Sequence, residues 1–173
     1  MDDTVAEIVE RFELQPHPEG GYFREVYRSS VEIEHPGVPA SAPRSRRAGS
    51  LIYFLLGGTD FSAFHRVRWT DEIWHLYAGG PIELHMLTAS GAHSVHTIAA
   101  NLDLAAEPTL VVPAGTWQAA RLAPSCPPDR AWAFGGCSVA PAFEFTDFEM
   151  PDRATLLEQY PQHADIIRML TRG

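Results

Sequence analysis

Between residues 50 and 140 the chain repeatedly starts and stops. The segments 50–56, 61–69, 72–78, 82–88, 93–98, 109–112, 117–122 and 132–140 are short and rich in β-branched, aromatic and alternating apolar residues. Turn residues close most of them off: Gly57-Gly58, Gly79-Gly80-Pro81, Ser90-Gly91 and the stretch 124–129. Many short strands with a turn every few residues predict a sandwich or barrel rather than a helical or α/β fold. The 13 Gly and 14 Pro are the punctuation such a fold needs. At 173 residues the chain fits one domain, 1–173, large enough to bury a core.

The flanks read differently. Val5, Ile8, Val9 and Phe12 recur at helical spacing, with Glu7, Glu10 and Arg11 turned away, so residues 2–13 predict an amphipathic helix stopped by Pro16 and Pro18. Tyr22 to Ser29 alternates with a period of two and predicts a strand. Residues 34–47, EHPGVPASAPRSRR, hold three prolines and little that can be buried, which predicts a long loop able to cover a site. Arg44, Arg46 and Arg47 within it read first as a solvated basic patch, and second as an anion clamp at a pocket rim. Residues 156–160 and 164–170 predict short C-terminal helices.

Charge and cysteine content narrow the partners. The formal net charge of −9 argues against nucleic acid. No apolar run has membrane-spanning length, and Asp2-Asp3 is the opposite of a basic leader. Cys126 and Cys137 do not make a disulfide framework, so a cytoplasmic protein with free thiols is expected, Cys137 as a packing residue.

The segment HRVRWTDEIWHLYAG concentrates the polar chemistry. Strand alternation places His65 with Ala63 and Val67, and Glu72 with Trp74 and Leu76, while His75 points the other way. In VVPAGTWQAARL, Gln118 follows a Pro-Ala-Gly turn and shares its face with Ala120 and Leu122. An imidazole, a carboxyl and an amide turned into an apolar interior need partners, because burying them unpaired is costly.

These residues resemble the two motifs of the cupin superfamily. The first, with two histidines one residue apart, a glutamate and a glycine, falls on His65, Val67, Glu72 and Gly79; the second, Pro-x-Gly-x-x-His, falls on Pro113, Gly115 and Gln118. Val67 and Gln118 stand where metal-binding members carry histidines. Residues 17–29, 64–79, 112–121 and 139–150 are similar to blocks of the fifth cupin family. That resemblance implies an all-β cupin jelly-roll (double-stranded β-helix) barrel with short N- and C-terminal helices, like the deoxysugar-nucleotide epimerases, and a homodimer. Open strand edges and the aromatic strand Tyr22 to Tyr27 agree with pairing of two chains.

Three readings of the pocket follow. In the first, His65, Glu72 and Gln118 hold a divalent metal; two weak or missing donors place this behind a metal-free trio. In the second, a metal-free sugar-nucleotide epimerase or isomerase uses His65 as base, Glu72 as its partner and Tyr53 or Tyr77 as acid, with Arg24 or Arg28 on a phosphate or carboxylate. In the third, a non-catalytic sensor binds a small polar molecule among His65, Glu72, Gln118, Tyr53, Trp74, Trp117, Phe143 or Phe145. Aromatic residues of a barrel are first of all core, and Phe143, Phe145 and Phe148 are expected to pack while Glu144, Asp147 and Glu149 face solvent or a rim. His85, His93 and His96 have no ligand spacing, and His17 and Glu19 read as a turn, for which the resemblance leaves room for a role near the pocket mouth.

Overall fold

The computed structural model describes residues 3–39, 43–100, 106–126 and 131–172. Its strands form two large sheets and one two-stranded hairpin. Helix α1 spans Asp3–Arg11, followed by β1 (Gln15–Pro16), β2 (Tyr22–Arg28), β3 (Glu32–Glu34), β4 (Ser45–Arg47), β5 (Ser50–Gly57), β6 (Phe61–Val67) and β7 (Glu72–Gly79). Then come β8 (Ile82–Leu87), β9 (His93–Ile98), β10 (Thr109–Val112), β11 (Trp117–Leu122), β12 (Trp132–Val139), β13 (Phe148–Glu149), α2 (Arg153–Gln159) and α3 (Ala164–Met169). One sheet has the order β1-β2-β5-β12-β7-β10 and the other β13-β6-β11-β8-β9, with antiparallel pairing throughout both.

From β5 to β8 the chain changes sheet at every connection, which is the jelly-roll habit. The turns that make these changes are tight, and Gly79 shows why: its φ is +95°, and a Cβ there would lie 2.3 Å from the Trp132 carbonyl oxygen. The expected barrel is not closed. The two sheets face each other across a shared core, but their edge strands are not hydrogen-bonded into one continuous sheet among the described residues.

The inner faces of the strands build the core. Phe54 and Leu56 of β5, Trp74 and Leu76 of β7, Ile82, Leu84 and Met86 of β8, Ala120 of β11 and Cys137 of β12 belong to one buried cluster. Each fully buried Leu or Phe contributes about 1.5–3 kcal/mol. The outer face of the second sheet is covered by the C-terminal helices, where Phe64, Leu87 and Trp117 meet Leu156, Tyr160, Ile167 and Leu170. Val5, Leu14, Leu55 and Phe134 form a third cluster, where α1 lies on the first sheet.

Four expectations change here. Asp2 lies outside the described residues, and α1 ends at Arg11 by its own C-terminal hydrogen bonds, not at Pro16. Glu13 takes a positive φ of 53°, Leu14 N–H reaches the Val9 carbonyl at 2.9 Å, and Glu13 N–H reaches Glu10 at 3.2 Å. The ends of the 34–47 segment are not loop: β3 and β4 pair as a hairpin in the register Ile33 to Arg46, while residues 40–42 lie outside the described residues. Nor is Arg46 a solvated or anion-clamping residue. It is 6% exposed and binds both oxygens of Asp147, with Nη2–Oδ2 at 3.0 Å, because the hairpin turns it toward the 143–149 segment. Asp147, expected at the surface, is 4% exposed for the same reason.

Candidate functional site

A β-bulge sets the geometry of the site. Along β11, Gln118 pairs with His65 and Ala120 with Ser62, so two steps on β11 match three on β6. Strict alternation would turn Ser62 and His65 to opposite faces. The extra residue turns both toward one carboxylate: Ser62 Oγ donates to Glu19 Oε1 at 2.8 Å, and His65 Nε2 lies 3.3 Å from Glu19 Oε2. Glu19 is delivered by the 17–21 turn, whose backbone is locked by Ala63 N–H donating to the Glu19 carbonyl at 2.8 Å. His17 Nδ1 approaches the same Glu19 oxygen at 3.3 Å.

The proton on His65 follows from its contacts. Nδ1 sits 2.8 Å from the Ala63 carbonyl oxygen, which can only accept, so Nδ1 carries hydrogen. Nε2 faces the Glu19 carboxyl, and that contact requires one proton between the two atoms. Burial pushes the Glu19 carboxyl up, but the charge of His65 and the hydrogen bonds from His17 and Ser62 outweigh it and hold it below the usual carboxylate range.

Glu72, at the start of β7, lives in a different environment. Its Oε2 accepts from Gln118 Nε2 at 2.6 Å, and Gln118 Oε1 accepts from Trp74 Nε1 at 2.8 Å. The indole thereby decides which way the amide points, and the amide then offers only N–H to Glu72. The Cys137 thiol also donates to Glu72. Burial raises the Glu72 carboxyl and the charge of Glu19 raises it further, so that His65, Gln118 and Cys137 offset the rise only in part. Burial and the two carboxylates push the Cys137 thiol far up, which keeps it protonated.

His65, Glu72 and Glu19 meet in a cavity of about 70 Å³ between the sheets. Phe23, Ile52, Phe54, Val67 and Val139 line it, together with Glu25, Arg28, Ser50, Phe143, Phe145 and Phe148. Of the residues singled out in the sequence, His65, Glu72, Arg28, Phe143 and Phe145 line it. Gln118 and Trp74 stand behind Glu72 and position it. Trp117 lies on the opposite side of its sheet under the Arg66 guanidinium, 4.2 Å from the ring centroid. Tyr53 packs on the outer side of the first sheet against Phe12 and Phe134, Tyr77 is 46% exposed there, and Arg24 stands 5.9 Å from the Tyr53 ring; no tyrosine appears among the cavity residues. His75 faces outward as alternation requires and meets Ser138.

Glu19 is the site residue that strand patterning missed. The available signal was an acid directly before Gly20-Gly21. At Gly20, with φ +115°, a Cβ would sit 2.2 Å from the Phe61 carbonyl oxygen, so only glycine lets this turn press against β6.

The donor set does not fit a metal. Val67 offers no donor, the Gln118 oxygen is taken by Trp74, and both His65 nitrogens are engaged. No group of three or more His, Cys, Asp or Glu side chains among the described residues is arranged to hold a metal ion. No helix among them is long and apolar enough to cross a membrane.

Comparison with known proteins places the chain in a family. The model described as "Cupin superfamily (DUF985)" matches residues 6–151. Protein SO0799 from Shewanella oneidensis is 30% identical with a TM-score of 0.82, covering 96% of each chain. A hypothetical protein from Leishmania major is 28% identical with a TM-score of 0.85, covering 97% of this chain and 98% of that one. The uncharacterized protein YML079W of Saccharomyces cerevisiae is 26% identical over 150 residues, 83% of this chain and 73% of its own length.

Proposed function

Because the chain belongs to the cupin superfamily, in the family described as DUF985, we propose that its cavity binds a small polar molecule and exchanges protons with it without a metal. The observation that carries this reading is two buried carboxyls driven in opposite directions around one imidazole: Glu19 held low against His65, and Glu72 raised beside neutral donors. Carboxyls separated in this way are what a proton-transfer site needs, one poised to take or return a proton and one holding an ion pair in place. Glu72 is assigned as the base that takes and returns the proton, and His65, held by the Ala63 carbonyl and by Glu19, as the group that keeps Glu19 in place beside it. The matching reaction is an isomerisation. Glu72 removes a proton from carbon next to a carbonyl, the C–H electron pair moves toward oxygen, and reprotonation at carbon restores the bond on a new face or position.

A sugar nucleotide is the less favoured substrate. Among the described residues Arg28 is the only arginine that lines the cavity, and it is already held by Glu25 at 2.8 Å and Glu144 at 3.0 Å. The competing reading is a binding module without chemistry, and hydrogen exchange separates the two. Small carbonyl metabolites that shift cavity resonances are incubated with the protein in D₂O. Deuterium should enter at carbon with the wild type and fall about 100-fold or more with Glu72→Gln. If compounds that demonstrably bind never exchange, the module reading replaces the enzyme.

Two chains are proposed to pair through the part of the first sheet that α1 leaves bare. There the register runs Tyr27, Leu51, Ser138, Ile73, Val111 across β2, β5, β12, β7 and β10, with Tyr27 and Val111 about half exposed.

A further inference from the structure

Residues 143–149 carry Phe143, Phe145 and Phe148 along one side of the cavity. The three rings touch one another edge to face, and Phe148 packs on His65 with centroids 5.4 Å apart. Of the residues lining the cavity, the exposed ones are Glu25, Arg28 and Phe145. The way to solvent therefore runs between β2 and this segment, and a molecule that enters there must displace a ring.

The segment is fastened unequally. Its ends are held by buried groups. Ala142 is buried, and its N–H donates to the Arg47 carbonyl at 2.8 Å. The Asp147 carboxylate takes the buried Arg46 guanidinium, its carbonyl accepts the Arg68 backbone N–H at 2.9 Å, and β13 then pairs with β6. Between these anchors, residues 143–146 are held by side chains. Arg28 donates to Glu144 Oε1 and to the Phe143 carbonyl, each at 3.0 Å, while Ser50 Oγ accepts from Phe143 N–H and Arg68 donates to the Thr146 carbonyl. The Arg28 and Glu144 side chains are 32% and 39% exposed. A pair so exposed contributes little, whereas a desolvated bidentate pair resists separation. Glu25 also binds Arg28, at 2.8 Å, so the guanidinium keeps a partner when Glu144 leaves.

Resting on the reading of this cavity as a ligand site, we infer that residues 143–146 form a flap that admits the ligand, latched by Arg28 on Glu144 and hinged at Ala142 and Asp147. Phe143 and Phe145 leave with the flap. Phe148, paired with Val67 beyond the hinge, stays on His65. The opening is local, because neither hinge nor any strand pairing of the two sheets has to break.

Cys137 reports this opening without any ligand, since it lines the same cavity and is 3% exposed. In the full chain with Cys126→Ser it is the one remaining thiol, and its modification by methyl methanethiosulfonate is followed by mass spectrometry. Glu144→Ala should speed labelling about two- to five-fold, the effect of losing an exposed pair, at an unchanged urea midpoint. Raising NaCl from about 0.05 M to about 0.5 M should speed the wild type toward the variant and leave the variant unmoved. Amide hydrogen exchange gives a second reading. Phe143 N–H, bonded to Ser50 Oγ, should be at least about ten-fold less protected than Arg68 N–H, bonded at the hinge. Labelling that ignores both the variant and salt, or equal protection of the two amides, overturns the flap. Because neither measurement uses a ligand, the flap can fail while carbonyl compounds still shift the cavity's resonances, and it can stand where none does.

Discussion

Gln118→Met isolates the residue on which the polar arrangement turns. Gln118 is 1% exposed, accepts the Trp74 indole N–H at 2.8 Å and donates to Glu72 at 2.6 Å. Methionine has nearly the same length and volume, so little cavity is created and the cost is almost entirely polar. Leaving the indole N–H buried without an acceptor costs about 1–3 kcal/mol, and losing a bond to a carboxylate costs about 1.5–3 kcal/mol. Both act through one side chain and are not fully additive, so the expected loss is about 3–5 kcal/mol of a stability that is typically about 5–15 kcal/mol. Urea unfolding followed by tryptophan fluorescence reads this as a midpoint lowered by about 1.5–2.5 M at an unchanged slope of about 2 kcal/mol per M. Gln118→Glu sharpens the test. It keeps an acceptor for Trp74 but sets a second carboxyl against Glu72, and two such acids share one proton. The folded-state titration of the pair then lies above the ordinary carboxylate value, so its stability is present at low pH and lost as pH rises through that raised value. The variant should approach the wild type near pH 5 and fall well below it at pH 8. A Gln118→Met loss under about 1 kcal/mol, or a Gln118→Glu pH profile parallel to the wild type, refutes the assignment of the amide as the element that orients Glu72.

Two further outcomes can be checked independently. His85 is 4% exposed; burial pushes it down to about 4, with His93 and Arg121 adding to the shift and Glu83 opposing it. Its folded value lies below the unfolded one, so the stability it contributes is complete above about pH 6.5 and is lost as pH falls toward 4. From pH 7.5 to pH 5 this amounts to about 2 kcal/mol, which His85→Phe should remove from the pH profile; equal slopes in the two proteins refute it. In sedimentation velocity at micromolar concentration the wild type should run as a dimer and Tyr27→Glu with Val111→Glu as a monomer, while a monomeric wild type ends the pairing proposal.

The strands were legible because their signal is local. Residues 93–98, 109–112 and 117–122 appear with the bounds read from the sequence, and Glu72 shares its inward face with Trp74 and Leu76 because a period of two needs no knowledge of any other strand. What stayed hidden depends on chain segments far apart. Arg46 and Asp147 are separated by 101 positions, and a hairpin rich in proline and arginine carries no local mark of burial. Tyr53 and Trp117 each stand on a strand beside an inward neighbour, and alternation names the faces without saying which one a helix will cover. Glu19 combines both difficulties. It reaches Ser62 across 43 positions, and Ser62 can meet it together with His65 only because a bulge breaks the alternation on which the reading of β6 relied. Strand periodicity therefore finds the residues that obey it, whereas a site built on a bulge and a glycine turn recruits residues that do not. The His65–Glu19 pair consists of one of each kind.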